Sequence, residues 1–60
     1  MITVYEVVRL VSYDTDKGPL ELYISLGLYK NEDSAYNEAS RYEESKNVKI
    51  TVVHRELRET

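Results

Sequence analysis

Residues 20–29 alternate strictly between apolar and other side chains. Leu20, Leu22, Ile24, Leu26 and Leu28 take one set of positions, and Glu21, Tyr23, Ser25, Gly27 and Tyr29 take the other. A period of two is that of a strand with one buried face. Residues 2–13 also read as a strand, rich in Val, Ile, Tyr and Thr. There the even set (Ile2, Val4, Glu6, Val8, Leu10, Ser12) and the odd set (Thr3, Tyr5, Val7, Arg9, Val11, Tyr13) are both mixed. Two mixed faces suit a central strand that is partly covered on both sides. Between the two runs, residues 14–19 (Asp-Thr-Asp-Lys-Gly-Pro) read as a turn, so the pair should form an antiparallel hairpin.

The period changes after Lys30. Asn31 is a candidate helix N-cap, with Glu32 and Asp33 in the first turn, where the helix dipole favours anions. Ala35, Ala39 and Tyr42 recur at helical spacing, which predicts a helix over 32–45 with a narrow inner face. Lys46-Asn47 is the expected stop. Residues 48–57 return to strand, with Val48, Ile50 and Val52 on one side and Lys49, Thr51, Val53 and Arg55 on the other.

The expected fold class is therefore α+β, one β-β-α-β domain over residues 1–60. The second strand, the helix and the third strand make a crossover between parallel strands. With the first strand between them, the sheet order is 2-1-3. The helix is expected on the Leu/Ile/Val face. The opposite face would then carry Tyr5, Val7, Arg9, Val11 and Tyr13 beside Tyr23, Tyr29, Thr51 and Val53, uncovered. Glu6 would fall on the helix side unless it sits near the rim or a bulge shifts the register.

Composition narrows the class. A chain of 60 residues without cysteine has neither disulfide nor thiolate site to brace a thin core. The six aromatic residues are all tyrosine, a side chain suited to half-exposed positions and interfaces. The net charge is −3 and uneven: residues 31–45 hold five acids against Arg41, and residues 46–60 hold four cations against Glu56 and Glu59. The opening Met1-Ile2-Thr3-Val4-Tyr5 has no basic leader, and Glu6 and Arg9 interrupt the apolar run, so a cytoplasmic protein away from membranes is expected.

The stretch Leu26-Gly27-Leu28-Tyr29-Lys30-Asn31-Glu32-Asp33-Ser34-Ala35 resembles small bacterial and phage accessory proteins of β-β-α-β order. Those share a strand ending in Gly-x-aromatic, a polar cap and a helix with alanine inside. The resemblance implies an accessory protein that binds and modulates a host protein, as a phage-type inhibitor or regulator would. Peptidoglycan-binding sporulation-related repeats have a similar turn, but they need a further strand and helix, so their ligand does not carry over.

Candidate chemistry is sparse. His54 is the single histidine, late in the last strand, and no partner for it is evident. Asp14, Asp16 and Gly18 begin like a calcium loop, but Pro19 follows and Ser25 stands at the twelfth position, where that loop needs glutamate. Glu43 and Glu44 are adjacent and diverge on a helix. Neither an enzyme, a cofactor nor a metal site is expected. The favoured reading is a protein-binding module that also forms a homodimer, through Tyr5, Val7, Arg9, Tyr13, Tyr23 and Tyr29. Two alternatives stand beside it. One is a nucleic-acid mimic through the acidic helix (Glu32, Asp33, Glu38, Glu43, Glu44). The other is single-stranded nucleic-acid binding by tyrosine stacking with Arg9, Lys49, Arg55 and Arg58, which the acidic total disfavours.

Overall fold

The computed structural model of the chain describes residues 1–58 of the domain expected over 1–60. Strand β1 spans Ile2–Thr15, β2 Gly18–Tyr29, helix α1 Glu32–Ala39 and β3 Val48–Leu57. The three strands form one sheet in the order β2-β1-β3. Both outer strands run antiparallel to β1 and hence parallel to each other, as the crossover requires.

The hairpin is tighter than the sequence suggests. Thr15 pairs with Gly18, leaving only Asp16-Lys17 as the loop. Neither Asp16 nor Lys17 has positive φ, so this is not the type I′ turn that the commonest two-residue loops use. Gly18 takes the unusual geometry instead, at φ 115, where an L side chain would be strained. At the other end of the hairpin the register slips. Val7 stands opposite Gly27 and Val8 opposite Ser25, so Leu26 is an extra residue, a β-bulge in β2.

The register corrects the expected division of faces. Cross-strand partners share a face. Tyr13 stands opposite Leu20, Val11 opposite Leu22 and Arg9 opposite both Ile24 and Ile50. The odd β1 set thus lies with the Leu/Ile/Val row and not against it. Past the bulge, Tyr5 stands opposite Tyr29 and His54. The other face carries Val4, Glu6, Val8 and Leu10 with Tyr23, Ser25, Thr51, Val53 and Arg55. Glu6 is therefore on the face away from the helix.

Helix α1 is shorter than expected. Asn31 caps it as predicted, its side-chain oxygen accepting from the Asp33 and Ser34 amides at 2.8 and 3.3 Å. The helix ends at Ala39 and not at residue 45, because its last turn tightens: the Arg41 and Tyr42 amides donate to Glu38 and Ala39 carbonyls three residues back. The Ser40 hydroxyl also bonds back to the Asn37 carbonyl at 2.7 Å. Tyr42 is therefore outside the helix, and Lys46-Asn47 instead turn the chain between Ser45 and Val48, which form a short antiparallel bridge. The helix begins three residues after Tyr29 and its Glu38 acts electrostatically on the Tyr29 hydroxyl, so it lies at the Tyr29 end of the sheet. Ala35, fully buried, is the contact that lets it sit close.

An eight-residue helix is about 12 Å long. The sheet it covers belongs to a molecule 43 Å in its longest dimension. Most of the sheet therefore has no second layer, and among the described residues the buried apolar ones are Val4, Val7, Val8 and Ala35. Among the described residues no helix is long and apolar enough to cross a membrane.

Candidate functional site

Two surface features follow from this geometry, one on each face. On the helix side, the hairpin runs on past the end of β3. The last β1–β3 pair is Val11 with Val48, whereas β1 and β2 continue to Thr15 and Gly18. Tyr13 and Leu20 on this arm continue into Leu22 and Ile24, level with Val48 and Ile50 of β3, to make one row along the hairpin, 48, 51, 44 and 41% exposed. Alternation puts these side chains together on one side, and the shortness of α1 leaves them uncovered. Val11, Val48 and Ile50 form a half-buried floor beside them, and Arg9 is exposed among them. A contiguous apolar patch with a cation at its edge has the composition of an interaction surface.

On the opposite face the chain buries one charge. Glu6 is 8% exposed. Its carboxylate accepts a hydrogen bond from the Tyr23 hydroxyl, another from the Ser25 hydroxyl at 2.7 Å and a third from Arg55 Nε at 2.8 Å. Arg55 Nη2 also donates to the Tyr23 oxygen at 2.7 Å, with the guanidinium 5.8 Å from the Tyr23 ring centre. Tyr23 starts opposite Leu10 and reaches Glu6, so its ring crosses the position of Val8 between them. That explains how Val8 is fully buried on a face without a helix. The hydrogen bonds from Tyr23 and Ser25, and then Arg55, hold the Glu6 carboxyl below its ordinary pKa despite the opposing effect of burial. The same partners push the Arg55 pKa up. Three hydrogen bonds converge on this carboxylate from β2 and β3, so the network ties the three strands together.

The sequence-predicted residues divide accordingly. Arg9 and Tyr13 lie on the uncovered arm face. Val7 is wholly buried and so cannot be the exposed contact that was expected. Tyr5 is half-buried, stacked on His54 at 5.4 Å between ring centres. Tyr29 is half-buried near α1, where burial first and Glu38 second raise its pKa. Tyr23 stands on the opposite face, bound to Glu6. The six do not form one surface. The acids of the alternative site are also dispersed. Glu32 and Asp33 lie in the first helical turn, and Glu38 is half-buried, 3.6 Å from Arg41. Glu43 and Glu44 follow the helix, and Glu44 accepts from the Ile50 amide at 3.2 Å. Among the described residues there is no enclosed pocket and no group of three His, Asp or Glu placed to hold a metal ion.

Sequence reasoning missed the exposed row Leu20, Leu22 and Ile24 and the Glu6 network. The signal for the row was the hairpin register, which sets odd β1 positions beside even β2 positions up to the bulge; the Glu6 network also needs Arg55 from β3. Compared with known proteins, the chain matches no family model, no curated protein and no solved structure.

Proposed function

We propose that this domain is a protein-binding module that docks through the helix-side face of the hairpin arm: Tyr13, Leu20, Leu22 and Ile24, with Arg9 at the edge. The observation that carries the reading is the uncovered apolar row, four large side chains each more than two-fifths exposed on a rigid alternating scaffold. Interfaces favour apolar centres with tyrosine and arginine anchors, and such a row costs free energy in water until something covers it. The role is binding in the cytoplasm and not catalysis, and the phage-type inhibition or regulation of a host protein implied by the Gly27–Ala35 resemblance is one form of it.

The test is affinity capture from bacterial lysate with the wild type, Leu20→Asp and Glu21→Lys. Leu20 and Glu21 are neighbours on opposite faces, both exposed. A stoichiometric partner retained by Glu21→Lys and lost with Leu20→Asp supports the arm face. A partner kept by Leu20→Asp, or none at all, overturns it.

A further inference from the structure

The backbone of β2 carries an inference that does not depend on the arm-face reading. The Ser12 amide donates to the Asn47 carbonyl at 2.8 Å. Even-numbered β1 residues near it therefore turn their backbone groups toward β3, and odd-numbered ones toward β2. Through the register, Leu20, Leu22 and Ile24 bond to β1, and the N–H and C=O groups of Glu21, Tyr23 and Ser25 point away from the sheet. Among the described residues nothing pairs with them.

The two edges of the sheet are treated differently. On the β3 side, the Glu44 carboxylate accepts from the Ile50 amide, and Ser45 bridges Val48 at 3.0 and 3.3 Å. That edge is blunted where the connecting segment returns. The β2 edge has one charged residue, Glu21, no lysine, and a proline only at its loop end. Natural edges are normally guarded by charge, bulges or covering segments. Here the bulge at Leu26 closes one end, Pro19 closes the other, and Glu21–Ser25 between them stays open.

We infer that this open stretch pairs with the same stretch of a second copy, antiparallel about a two-fold axis through Tyr23, to make a continuous six-stranded sheet. Three observations select a second copy as the occupant. First, the register is self-complementary: it sets Glu21 against Ser25 of the second copy and keeps the two glutamates apart. It also uses all the outward amides in about six N–H···O=C bonds, whereas an axis through Leu22 would spend Ser25 on Pro19, which has no N–H. Second, Glu6 and Arg55 draw each Tyr23 side chain over its own Val8, which keeps the axis clear. Third, four buried apolar residues are a small core for a chain with no disulfide, and a copy of the chain is the one partner present whenever the chain folds. Pairing also places Leu22 beside Ile24 of the second copy, so each pair of interface contacts is apolar on the helix side.

The experiment combines light scattering with residue-resolved amide exchange on the full chain. The expected mass is twice 7.0 kDa. The Tyr23 and Ser25 amides should exchange slowly, and on dilution below the dissociation constant they should speed up by on the order of 100-fold, toward the rate of open edge amides. Glu21→Pro removes an amide that makes no bond within the chain and is tolerated on an edge; it should give a folded species of half the wild-type mass, whereas Glu21→Ala keeps the dimer. A single-chain mass at high concentration overturns the inference. So does a dimer whose Tyr23 and Ser25 amides exchange as fast as the Asp16-Lys17 loop. Should Glu21→Pro fail to fold, the wild-type exchange pattern decides.

Discussion

Replacing Glu6 with glutamine isolates the charge of the buried network while keeping its shape. The wild-type carboxylate accepts three hydrogen bonds, from Tyr23, Ser25 and Arg55. Tyr23 and Arg55 share one carboxylate oxygen and Ser25 meets the other, so glutamine can donate to the Ser25 oxygen and still accept from both Tyr23 and Arg55. It loses the charge that strengthens them. A hydrogen bond to a charged group contributes about 1.5–3 kcal/mol, against about 1 for a neutral one. The Arg55 side chain is 47% exposed, so its ion pair counts for less than a buried one would. The net expectation for Glu6→Gln is a loss of about 2 kcal/mol, or about 8–16 °C in Tm for a domain of this size. The assay is thermal or urea unfolding of both proteins at one fixed concentration, repeated across pH. Because folding lowers the Glu6 pKa, the stability it contributes is present above the ordinary carboxylate value and is lost as pH falls through the lowered one. The two proteins should therefore differ at neutral pH and converge in strong acid. A difference under about 0.5 kcal/mol at neutral pH would refute the reasoning. A gap that persists in strong acid would also refute it, since shape and not charge would then be responsible.

Two further predictions concern the helix and its seat. Asn31→Ala removes the acceptor for the Asp33 and Ser34 amides and should cost about 1 kcal/mol, seen in the unfolding midpoint and in a drop in helical circular dichroism. Gly27→Ala would set a Cβ 3.2 Å from the Tyr29 ring, so the ring must give by a few tenths of an ångström; loosening its seat should bring the raised Tyr29 pKa toward the ordinary tyrosine value in a spectrophotometric titration, and an unchanged titration would show that the ring had room.

The strands and the sheet order were legible because several independent signals agreed. The strict alternation of residues 20–29, the Asp/Gly/Pro-rich turn before them and the two mixed faces of residues 2–13 all placed β1 in the centre of the sheet. Asn31 was legible as a cap because its side chain serves amides two and three residues away. The helix C-terminus was not, because no glycine marks it. The Ser40 back-bond and the tightened last turn are weak local events that Ala39 and Tyr42, still in helical phase, mask in the sequence. The assignment of faces depended on a long-range quantity, the parity of the β1–β2 register. Once Tyr13 stands opposite Leu20, Val7 moves under the helix and Tyr23 moves away from Tyr5. Glu6 looked costly in a strand interior. The residues that make its burial tolerable, Tyr23, Ser25 and Arg55, are 17, 19 and 49 positions away, and only folding brings them together.

The central claim is that one face of the hairpin arm binds a protein, and adjacent positions on β1 test it most directly. Ser12 and Tyr13 are both exposed and point to opposite faces. A photo-reactive side chain should be placed at each position in turn, in living bacteria, and the adducts separated by mass. The account predicts that position 13 captures a single foreign protein and position 12 does not. Equal capture from both positions, or adducts from position 13 with a second copy of the chain alone, would contradict it.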